Sequence, residues 1–549
     1  MSIMARATVV GTLLLAVGCL READVSSHPD LAPSVGPGGA GGPGDPGDPE
    51  CQGQGFSASQ FVPPELKCAW TQGGPTAGSM MTPIVADLDG DHKPEIVFLS
   101  FGDNSSEGGV PRFTAIHGAD CSVWFDRPSV PEVGGYAELA VADLDADGIP
   151  EIISTSQDNK VLVFDNKGNL LATAPTAYAS FDLGGPAIAD VDNQAPPEII
   201  MGGQVSRYVK GVGITVLWQA APLAVDKVGL GSLTIVADLD GDHKPEVIVG
   251  TTIHDGVTGA DKTPSGLQAL GGAGALAATG DFNKDGKPDL ALISFGATTA
   301  QASIFDYANN KFIFGPFDLP GTSAGAPTVA DFDGDGVPEF ATAGREGYYV
   351  LSLKCDPRNK APQCDQSSNF GALWKKTTQD QSSGVTGSSV FDFNGDGVAE
   401  VVYRDECWLR VYNGPDGKTL FAVPVTSGTV FELPVIADVD NDGHADIVVS
   451  ADSEFERVSD QQYCPQSEAE TGATFTGAKD GVFVFRDPMN RWMPSRALWN
   501  EHSYHITNIN DDLTVPTMED DNWRSWNNYR QNVQGVATGS AVVCAPPIQ

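Results

Sequence analysis

The sequence predicts an all-β protein, a single β-propeller of about eight four-stranded blades followed by an irregular C-terminal capping segment. An acidic motif recurs eight times, with 43 to 61 residues between successive copies. Short apolar runs flank the copies, and no segment after the first 20 residues shows sustained helical periodicity. A spacing of about 50 residues suits a blade of four strands. Because the third copy is irregular, seven blades is the alternative.

Residues 1–18 are typical of an export signal. Arg6 precedes an apolar run that ends at Gly18, and this run is about half as long as a membrane-spanning helix. The segment Leu15-Ala16-Val17-Gly18-Cys19 resembles the bacterial lipobox, and this resemblance implies that Cys19 is lipidated. We therefore expect an exported lipoprotein anchored at the outer membrane or cell surface. An ordinary signal peptide cleaved nearby is the alternative.

Residues 19–64 are predicted to be a tether between the lipid and the folded domain. Residues 28–50 consist almost entirely of Pro, Gly, Ala, Ser and Asp, and they lack any periodicity. Such a composition does not bury a core and behaves as a flexible linker.

The net charge is strongly negative. The chain has 32 Lys and Arg against 72 Asp and Glu, a formal net charge of −40. This balance excludes nucleic acid as a partner and leaves the lipid anchor as the one route to a membrane. The eight motif copies hold 29 of the 72 acids, so the acidity points to cations.

Nine cysteines are present. With Cys19 set aside, an even number remains in an exported chain, which predicts disulfides. Spacing does not fix the pairing. We expect four pairs: Cys355 with Cys364, Cys407 with Cys464, Cys68 with Cys121, and Cys51 with Cys544.

The propeller is predicted to span residues 65–495. The second copy shows a complete blade, with strands over Leu139–Ala142, Glu151–Thr155, Lys160–Asp165 and Asn169–Thr173. These runs are short and rich in β-branched residues, and the acidic motif forms the hairpin between the first two.

A strand-like segment, Leu66–Trp70, precedes the first copy and resembles the outer strands of later blades. A row of sheets leaves open edges unless it closes into a ring. We therefore expect Leu66–Trp70 to complete the last blade and latch the ring.

The motif reads Asp-x-Asp-x-Asp-Gly-x-x-Asp/Glu, with acids at positions one, three, five and nine. Several carboxylates in one tight loop repel one another unless a cation lies between them. Hard oxygen ligands in a flexible loop are what Ca²⁺ prefers. The alternative is that the acids only form Asx-turns.

Seven copies carry a full set of oxygen ligands, which predicts about seven structural calcium ions. The predicted ligands are Asp87, Asp89, Asp91 and Glu95; Asp143, Asp145, Asp147 and Glu151; Asp238, Asp240, Asp242 and Glu246; Asp281, Asn283, Asp285 and Asp289; Asp331, Asp333, Asp335 and Glu339; Asp392, Asn394, Asp396 and Glu400; and Asp438, Asp440, Asp442 and Asp446. The third copy keeps Asp190, Asp192 and Glu198, but Gln194 replaces the fifth-position acid and the glycine is missing. We expect weak or no metal binding there.

This motif in its strand context resembles the FG-GAP or VCBS repeats known from the propeller of integrin alpha subunits. Fragments such as Ser294-Phe295-Gly296 and Gly325-Ala326-Pro327 match the family name. The resemblance covers about residues 65–495. It implies calcium ions on one face of the ring and recognition of other proteins.

Residues 496–549 break the repeat, and the part before residue 535 is rich in Trp, Tyr, His, Asn and Arg. One interpretation is a cap that fills the channel of the propeller or closes its edge. The other is a ligand surface. The residues of that possible surface are Trp499, His502, Tyr504, Trp523, Trp526 and Tyr529.

Catalytic motifs are weak. Residues 321–325, Gly-Thr-Ser-Ala-Gly, match a nucleophile elbow, but they lie just before a strand instead of after one. We therefore predict no enzyme, but a surface module for adhesion, ligand binding or scaffolding, with a protein or glycan partner.

Two alternatives stay open. Some polysaccharide lyases of the rhamnogalacturonan type resemble this chain in having a propeller and acidic loops. Such an enzyme needs basic groups to take a proton and to hold the uronate, and basic residues are few in this chain. The second alternative is a purely structural envelope protein.

Overall fold

The structure is a computed structural model. The described residues are 56–71, 78–100, 111–127, 133–134, 137–178, 184–221, 232–270, 275–296, 298–345, 347–428, 430–453 and 463–532. The predicted signal, residues 19–55 of the predicted tether, and Cys51 and Cys544 lie outside these residues.

Strands dominate the described residues, and the two α-helices are single turns, α1 (Ser265–Gln268) and α2 (Asn522–Ser525). In chain order the strands are β1 (Glu65–Trp70), β2 (Ile84–Ala86), β3 (Glu95–Ser100), β4 (Arg112–His117), β5 (Val123–Arg127), β6 (Ala140–Ala142), β7 (Glu151–Thr155), β8 (Val161–Phe164), β9 (Leu170–Thr173), β10 (Gly184–Gly185), β11 (Ala187–Ala189), β12 (Glu198–Met201), β13 (Gln204–Val209), β14 (Gly213–Gln219), β15 (Ser232–Leu233), β16 (Ile235–Ala237), β17 (Glu246–Val249), β18 (Thr252–Asp255), β19 (Ala275–Gly280), β20 (Asp289–Phe295), β21 (Ala300–Asp306), β22 (Lys311–Asp318), β23 (Thr328–Ala330), β24 (Glu339–Gly344), β25 (Gly347–Leu351), β26 (Ala372–Lys376), β27 (Ser388–Phe391), β28 (Glu400–Arg404), β29 (Trp408–Tyr412), β30 (Thr419–Pro424), β31 (Val435–Ala437), β32 (Asp446–Ala451) and β33 (Gly481–Arg486). The prediction for the second blade is confirmed, because β6 to β9 lie within the four predicted ranges.

The strands form eight antiparallel blades. Blades one to three are β2-β3-β4-β5, β6-β7-β8-β9 and β11-β12-β13-β14, and blades five to seven are β19-β20-β21-β22, β23-β24-β25-β26 and β27-β28-β29-β30. The eighth blade is β31-β32-β33-β1. The fourth blade, β16-β17-β18, has three strands among the described residues, and a bridge between His254 and Asp261 lies beside its outer strand. The pair β10–β15 is short and parallel, where the third and fourth blades begin.

The first strand of each blade is innermost, and these strands are neighbours in ring order: β2, β6, β11, β16, β19, β23, β27 and β31. Hydrogen bonds between the eighth and first blades close the ring, with Ser450 Oγ donating to the Met81 carbonyl at 2.8 Å and the Ser79 N–H donating to the Ala451 carbonyl at 3.0 Å. The ring therefore has eight blades, as the repeat count predicts.

The predicted latch is confirmed. Strand β1 pairs with β33 in antiparallel register, with Trp70 opposite Val482. Three of the expected disulfides are also present, Cys68–Cys121, Cys355–Cys364 and Cys407–Cys464. Because Cys68 lies in the eighth blade and Cys121 in the first, one disulfide fastens the closure of the ring.

Aromatic side chains pack between neighbouring blades. The rings of Phe113 in the first blade and Phe164 in the second are 5.2 Å apart, and those of Tyr348 in the sixth and Tyr403 in the seventh are 4.9 Å apart. The blades also approach closely at Gly118, where an added Cβ would lie 2.1 Å from the Val439 carbonyl oxygen of the eighth blade. Glycine is therefore needed there for close packing.

Residues 493–532, called here the C-terminal plug, fill the axis of the ring. Trp499 and Val85 of β2 exchange two backbone hydrogen bonds of 2.8 and 3.0 Å, and Tyr529 and Val329 of β23 exchange two of 2.9 and 3.1 Å. Glu501 accepts a hydrogen bond from the backbone N–H of Ile188 in β11 at 2.9 Å. The innermost strand of each blade has one edge that no other strand of the blade pairs with. The plug supplies backbone and side-chain hydrogen-bond partners along this edge.

The plug also forms hydrogen bonds with four further blades. The Asn500 carbonyl accepts the Val141 N–H in the second blade, and the Asn527 side chain donates to the Asp281 carbonyl in the fifth. The Arg530 carbonyl accepts the Val390 N–H in the seventh blade, and the Asn532 side chain donates to the Ile436 carbonyl in the eighth.

The six side chains of the possible ligand surface lie inside the molecule. Their exposed fractions are 0 to 9%: Trp499, His502, Tyr504, Trp523, Trp526 and Tyr529. His502 packs against Gly185, where its Nε2 lies 3.1 Å from the carbonyl oxygen. This placement matches the capping interpretation and not an exposed ligand surface.

No helix within the described residues is both long enough and apolar enough to cross a lipid bilayer.

The closure disulfide should contribute more stability than the local one. Cys68 and Cys121 are separated by 53 residues, and Cys355 and Cys364 by 9. Loop entropy in the unfolded chain then favours the closure disulfide by about 1.6 kcal/mol. Chemical unfolding of the Cys68→Ser/Cys121→Ser protein should show the larger loss. Equal losses for this protein and the Cys355→Ser/Cys364→Ser protein would contradict the prediction.

Truncation of Trp499 should destabilise the whole ring. This side chain is fully buried and stacks on Tyr504 with ring centroids 4.6 Å apart. Trp499→Ala is expected to lower the free energy of unfolding by about 3–5 kcal/mol. The control is Val212→Ala, because Val212 is 79% exposed and its loss should change stability by less than about 0.5 kcal/mol. A Trp499→Ala protein as stable as this control would show that the plug does not support the ring.

Candidate metal centres

The acidic motifs form eight hairpin loops, numbered by blade. Each loop joins the innermost strand of its blade to the second strand, and because the inner strands run side by side, all eight loops lie on one face. The loops are residues 87–95, 143–151, 190–198, 238–246, 281–289, 331–339, 392–400 and 438–446. Neighbouring loops are linked, since the Asn441 side chain of loop 8 donates to the His92 carbonyl of loop 1 and Asn193 of loop 3 donates to the His243 carbonyl of loop 4, both at 3.0 Å.

The ninth-position acid is the first residue of the second strand, and it is buried in every loop. One of its oxygens accepts the backbone N–H of the second-position residue, as in loop 1, where the Leu88 N–H donates to Glu95 Oε2 at 3.0 Å. The same bond recurs in the other loops at 2.9 to 3.3 Å. This bond fixes the acid against the loop backbone and leaves its second oxygen for other contacts.

The first-position aspartate organises the turn. In loop 1 the N–H groups of Gly90 and His92 donate to the two oxygens of Asp87, both at 2.8 Å. Such Asx-turns recur around the ring. The acids therefore do form Asx-turns, as the alternative to metal binding predicts. In loops 1 and 4 the third acid takes part as well, since Asp89 Oδ1 and Asp240 Oδ1 accept backbone N–H groups two residues on, both at 3.2 Å. Asx-turns leave the ninth acid of every loop, and the third-position aspartates of loops 2, 3, 6 and 8, to be explained.

Positions four and six of seven loops have left-handed backbone conformations. The motif as written places glycine at position six, and this is wrong for loops 1 and 4. There the sixth residues are His92 (φ 65°) and His243 (φ 64°), and the glycines Gly90 and Gly241 stand at position four. Histidine tolerates this region better than most side chains.

The loops can hold a cation. In loops 1, 2, 3, 4 and 6, one oxygen from each of the first, third and ninth acids lies within 4.8 Å of the others. The third-position acids also carry buried oxygens without a hydrogen-bond partner: Asp145 Oδ1, Asp192 Oδ1, Asp333 Oδ1 and Asp440 Oδ1. Converging carboxylates with unused oxygens fit a hard divalent ion, which would neutralise them.

Burial raises the pKa of every ninth-position acid, and repulsion from neighbouring acids adds to the effect in most loops. The pKa is about 7 for Glu95, Glu198, Glu246 and Asp446, and about 8 for Glu151, Asp289 and Glu339. The pKa of Glu400 lies well above the ordinary value for the same reason. Without a metal, these carboxyls therefore hold protons near neutral pH.

Loops 5 and 7 have asparagine at position three, as the sequence indicates. The Asn283 amide lies 3.5 Å from Asp289 Oδ1, and the Asn394 amide lies 3.3 Å from Glu400 Oε1. Both loops therefore place an amide where the other loops place a third-position carboxylate.

Loop 3 departs from the others in a way that the sequence pattern only partly predicts. Arg207 of β13 donates to Glu198 Oε1 through Nε at 2.6 Å and to Asp192 Oδ2 through a terminal nitrogen at 2.9 Å. A guanidinium thus lies against the third- and ninth-position acids, and the fifth-position residue is Gln194. These residues fit a divalent ion poorly.

Basic side chains also reach other loops, which sequence reasoning missed. Lys262 contacts loop 4, Lys354 loop 6, Lys67 loop 8 and Lys210 loop 2, while His117 Nδ1 lies 3.0 Å from Glu95 in loop 1. The motif gives no signal for them, because their distance along the chain from the last acid of the loop ranges from 15 residues for Lys354 to 379 residues for Lys67.

A match to a known family covers part of the ring. Residues 281–342 and 392–449, which contain loops 5, 6, 7 and 8, match the FG-GAP-like repeat. The chain therefore carries FG-GAP-like repeats within an eight-bladed propeller, as the sequence resemblance implies. No curated protein sequence is detectably similar to the chain.

Two solved structures are similar in fold. The V. cholerae biofilm matrix protein Bap1 is 18% identical, with a TM-score of 0.64 over 86% of this chain and 99% of that one. The rhamnogalacturonan lyase YesW is 15% identical, with a TM-score of 0.50 over 89% of this chain and 82% of that one. At these identities the likeness extends to the fold alone.

Stability of the metal-free protein should fall as pH rises. The folded pKa values are about 7 for Glu95, Glu198 and Glu246 and about 8 for Glu151 and Glu339, against an ordinary value of 4.5. The folded state therefore binds more protons than the unfolded state between these values, and stability is lost as pH rises through them. The melting temperature of EDTA-treated protein should drop from about pH 5 to about pH 8.

Added Ca²⁺ competes with those protons, so its stabilising effect should be larger at about pH 8 than at about pH 5. Melting curves with EDTA and with excess Ca²⁺ at both pH values measure the difference. A stability indifferent to EDTA at the higher pH would contradict the metal assignment.

Proposed function

We propose that this protein is an exported, calcium-binding propeller that acts as a non-catalytic adhesion, binding or scaffold module at a bacterial cell surface. The observation that carries the proposal is the ring of acidic loops on one face, in which buried carboxylates converge without enough internal cations to neutralise them. Three disulfides support export, because they form in oxidising compartments.

The proposed metal is Ca²⁺, with one ion in each of seven loops and none in loop 3. Flexible loops of carboxylate, amide and carbonyl oxygens suit Ca²⁺ better than Mg²⁺, which demands a near-octahedral site. The ions are proposed to be structural, since each would hold a hairpin beside the axis of the ring.

Cys19 is proposed to carry the lipid anchor, with residues 19–64 as the tether. The anchor would hold the propeller at the outer membrane or cell surface, where it meets a protein or glycan ligand. Several large apolar side chains are exposed and available for contacts, among them Ile149 at 47%, Leu170 at 45% and Val212 at 79%.

The lyase alternative is less well supported by the charges on the loop face. A pocket between loop 4 and the plug is lined by Asp238, Glu519, Asp520 and Asp521, with His243 and His505 and no Lys or Arg. Such a pocket repels a uronate, whereas a lyase has to bind one with cations.

The test uses the full chain with Cys19→Ser, which should release it from the membrane. Glycan arrays and pull-downs on bacterial surfaces, each with Ca²⁺ and with EDTA, should identify a ligand that binds in a calcium-dependent manner. Incubation with acidic polysaccharides should yield no unsaturated sugars. Appearance of unsaturated products would replace the adhesion proposal with the lyase alternative, and failure to bind any ligand would favour a structural envelope protein.

A further inference from the structure

The residue at position three correlates with the presence of a basic neighbour. Six loops have aspartate at position three, and each has a Lys, Arg or His against its acids. Two loops have asparagine there, and their ninth-position acids, Asp289 and Glu400, form no ion pair with Lys or Arg among the described residues. This correlation is the basis of the inference below.

The basic side chains take equivalent positions in three loops. Lys262 Nζ lies 2.8 Å from Asp240 Oδ2 and 2.6 Å from Glu246 Oε1, which are the third and ninth acids of loop 4. Lys67 Nζ lies 2.5 Å from Asp440 and 3.0 Å from Asp446, the same two positions in loop 8.

Lys354 follows the same plan in loop 6. Its Nζ contacts Asp333 and lies 2.6 Å from Asp335 and 3.4 Å from Glu339. These lysines come from different parts of their blades, so one conserved backbone position does not explain the common contact. The shared feature is the third-position carboxylate.

The basic groups leave room for a metal ion. Lys67 and Lys354 contact the Oδ2 atoms of Asp440 and Asp333, while the Oδ1 atoms of these two acids are buried without a partner. An ammonium on one oxygen and a divalent ion on the other can therefore share one carboxylate. The lysine does not have to leave for the metal to enter.

Formal charges can be counted over the predicted ligand side chains and the basic group that contacts them. On this count loops 2, 4, 6 and 8 have four carboxylates and one lysine, a net charge of −3. Loops 5 and 7 have three carboxylates and an asparagine, which is also −3. The lysines within the loops themselves are exposed and form no ion pair with a third- or ninth-position acid among the described residues: Lys93, Lys244, Lys284 and Lys287. Loop 1 is the exception, with four carboxylates and a histidine, and loop 3 has three carboxylates and Arg207, a net charge of −2.

We propose that Lys67, Lys210, Lys262 and Lys354 are charge partners of the third-position aspartates, and that they set the net charge of the ligand side chains and their paired lysine at −3. This inference rests on the proposed calcium binding. At position three, an aspartate paired with a lysine and an asparagine without one then give the same net charge. More negative loops would bind calcium more tightly but would repel themselves more strongly when empty.

Loop 4 provides the test, because its lysine pairs closely with both acids. Three full-length variants are compared with the unmodified protein: Lys262→Met, Asp240→Asn, and the two substitutions together. The double variant reproduces the ligand charge and the position-three asparagine of loops 5 and 7. Hydrogen exchange of a peptide covering residues 238–249 is followed against Ca²⁺ concentration, which isolates this loop from the other sites.

The measured quantity is the Ca²⁺ concentration at which the loop 4 peptide is half protected from hydrogen exchange. Removing the lysine should lower this concentration about tenfold, because a positive charge near the ion is lost. Asp240→Asn should raise it about tenfold, since both a ligand and a charge are lost. The double variant should return to within about threefold of the unmodified protein. Melting temperatures in excess Ca²⁺ show whether each variant is folded. If Lys262→Met is not folded, the same test is made in loop 6 with Lys354→Met.

Two failures can be told apart. If no loop peptide gains protection with Ca²⁺, the proposed calcium binding is wrong. If loop 4 responds to Ca²⁺ but Lys262→Met leaves its midpoint unchanged, or the double variant remains as weak as Asp240→Asn, then only the charge-partner inference is overturned.

Discussion

The fold depends on burying one carboxylate in each blade, at the first residue of the blade's second strand. This acid holds the backbone of its loop through one oxygen, and it lies against the innermost strand of the blade. The loop cannot release it without opening the first hairpin. Burial therefore gives precise geometry, but it also places charge where water is scarce, and each loop then requires either a proton or a cation.

The ring and the plug depend on each other. Inner strands of a propeller have one unpaired edge, and here the C-terminal plug supplies hydrogen bonds to seven of the eight inner strands or to residues beside them. It also supplies the aromatic side chains that fill the axis. The same amphipathic residues that suggest a recognition surface in the sequence are thus used to seal the core, since Trp and Tyr can bury large rings and still satisfy nearby polar groups.

The sequence predicts those features that depend on local spacing. The eight hairpins follow from periodicity, and the latch strand follows from the resemblance of Leu66–Trp70 to outer strands. Cysteine parity predicts that disulfides form, but it does not fix the three pairs that the structure shows. The basic partners are not predicted by local spacing, because Lys67 meets Asp446 across a sequence separation of 379 residues. The motif's glycine at position six is also wrong for loops 1 and 4, since a hydrogen-bonded turn holds His92 and His243 in a conformation usually adopted by glycine.

Segments from both ends of the folded domain are needed to complete the propeller. Strand β1 supplies the outer edge of the last blade, and residues up to Asn532 reach the axis only after all the blades have been made. A chain that emerges from its N-terminus therefore leaves the inner strands of its blades without their partners in the C-terminal plug until residues 493–532 arrive. Completion of the ring is thus a late event in biogenesis, and the period before it is when the chain is most open to aggregation or proteolysis.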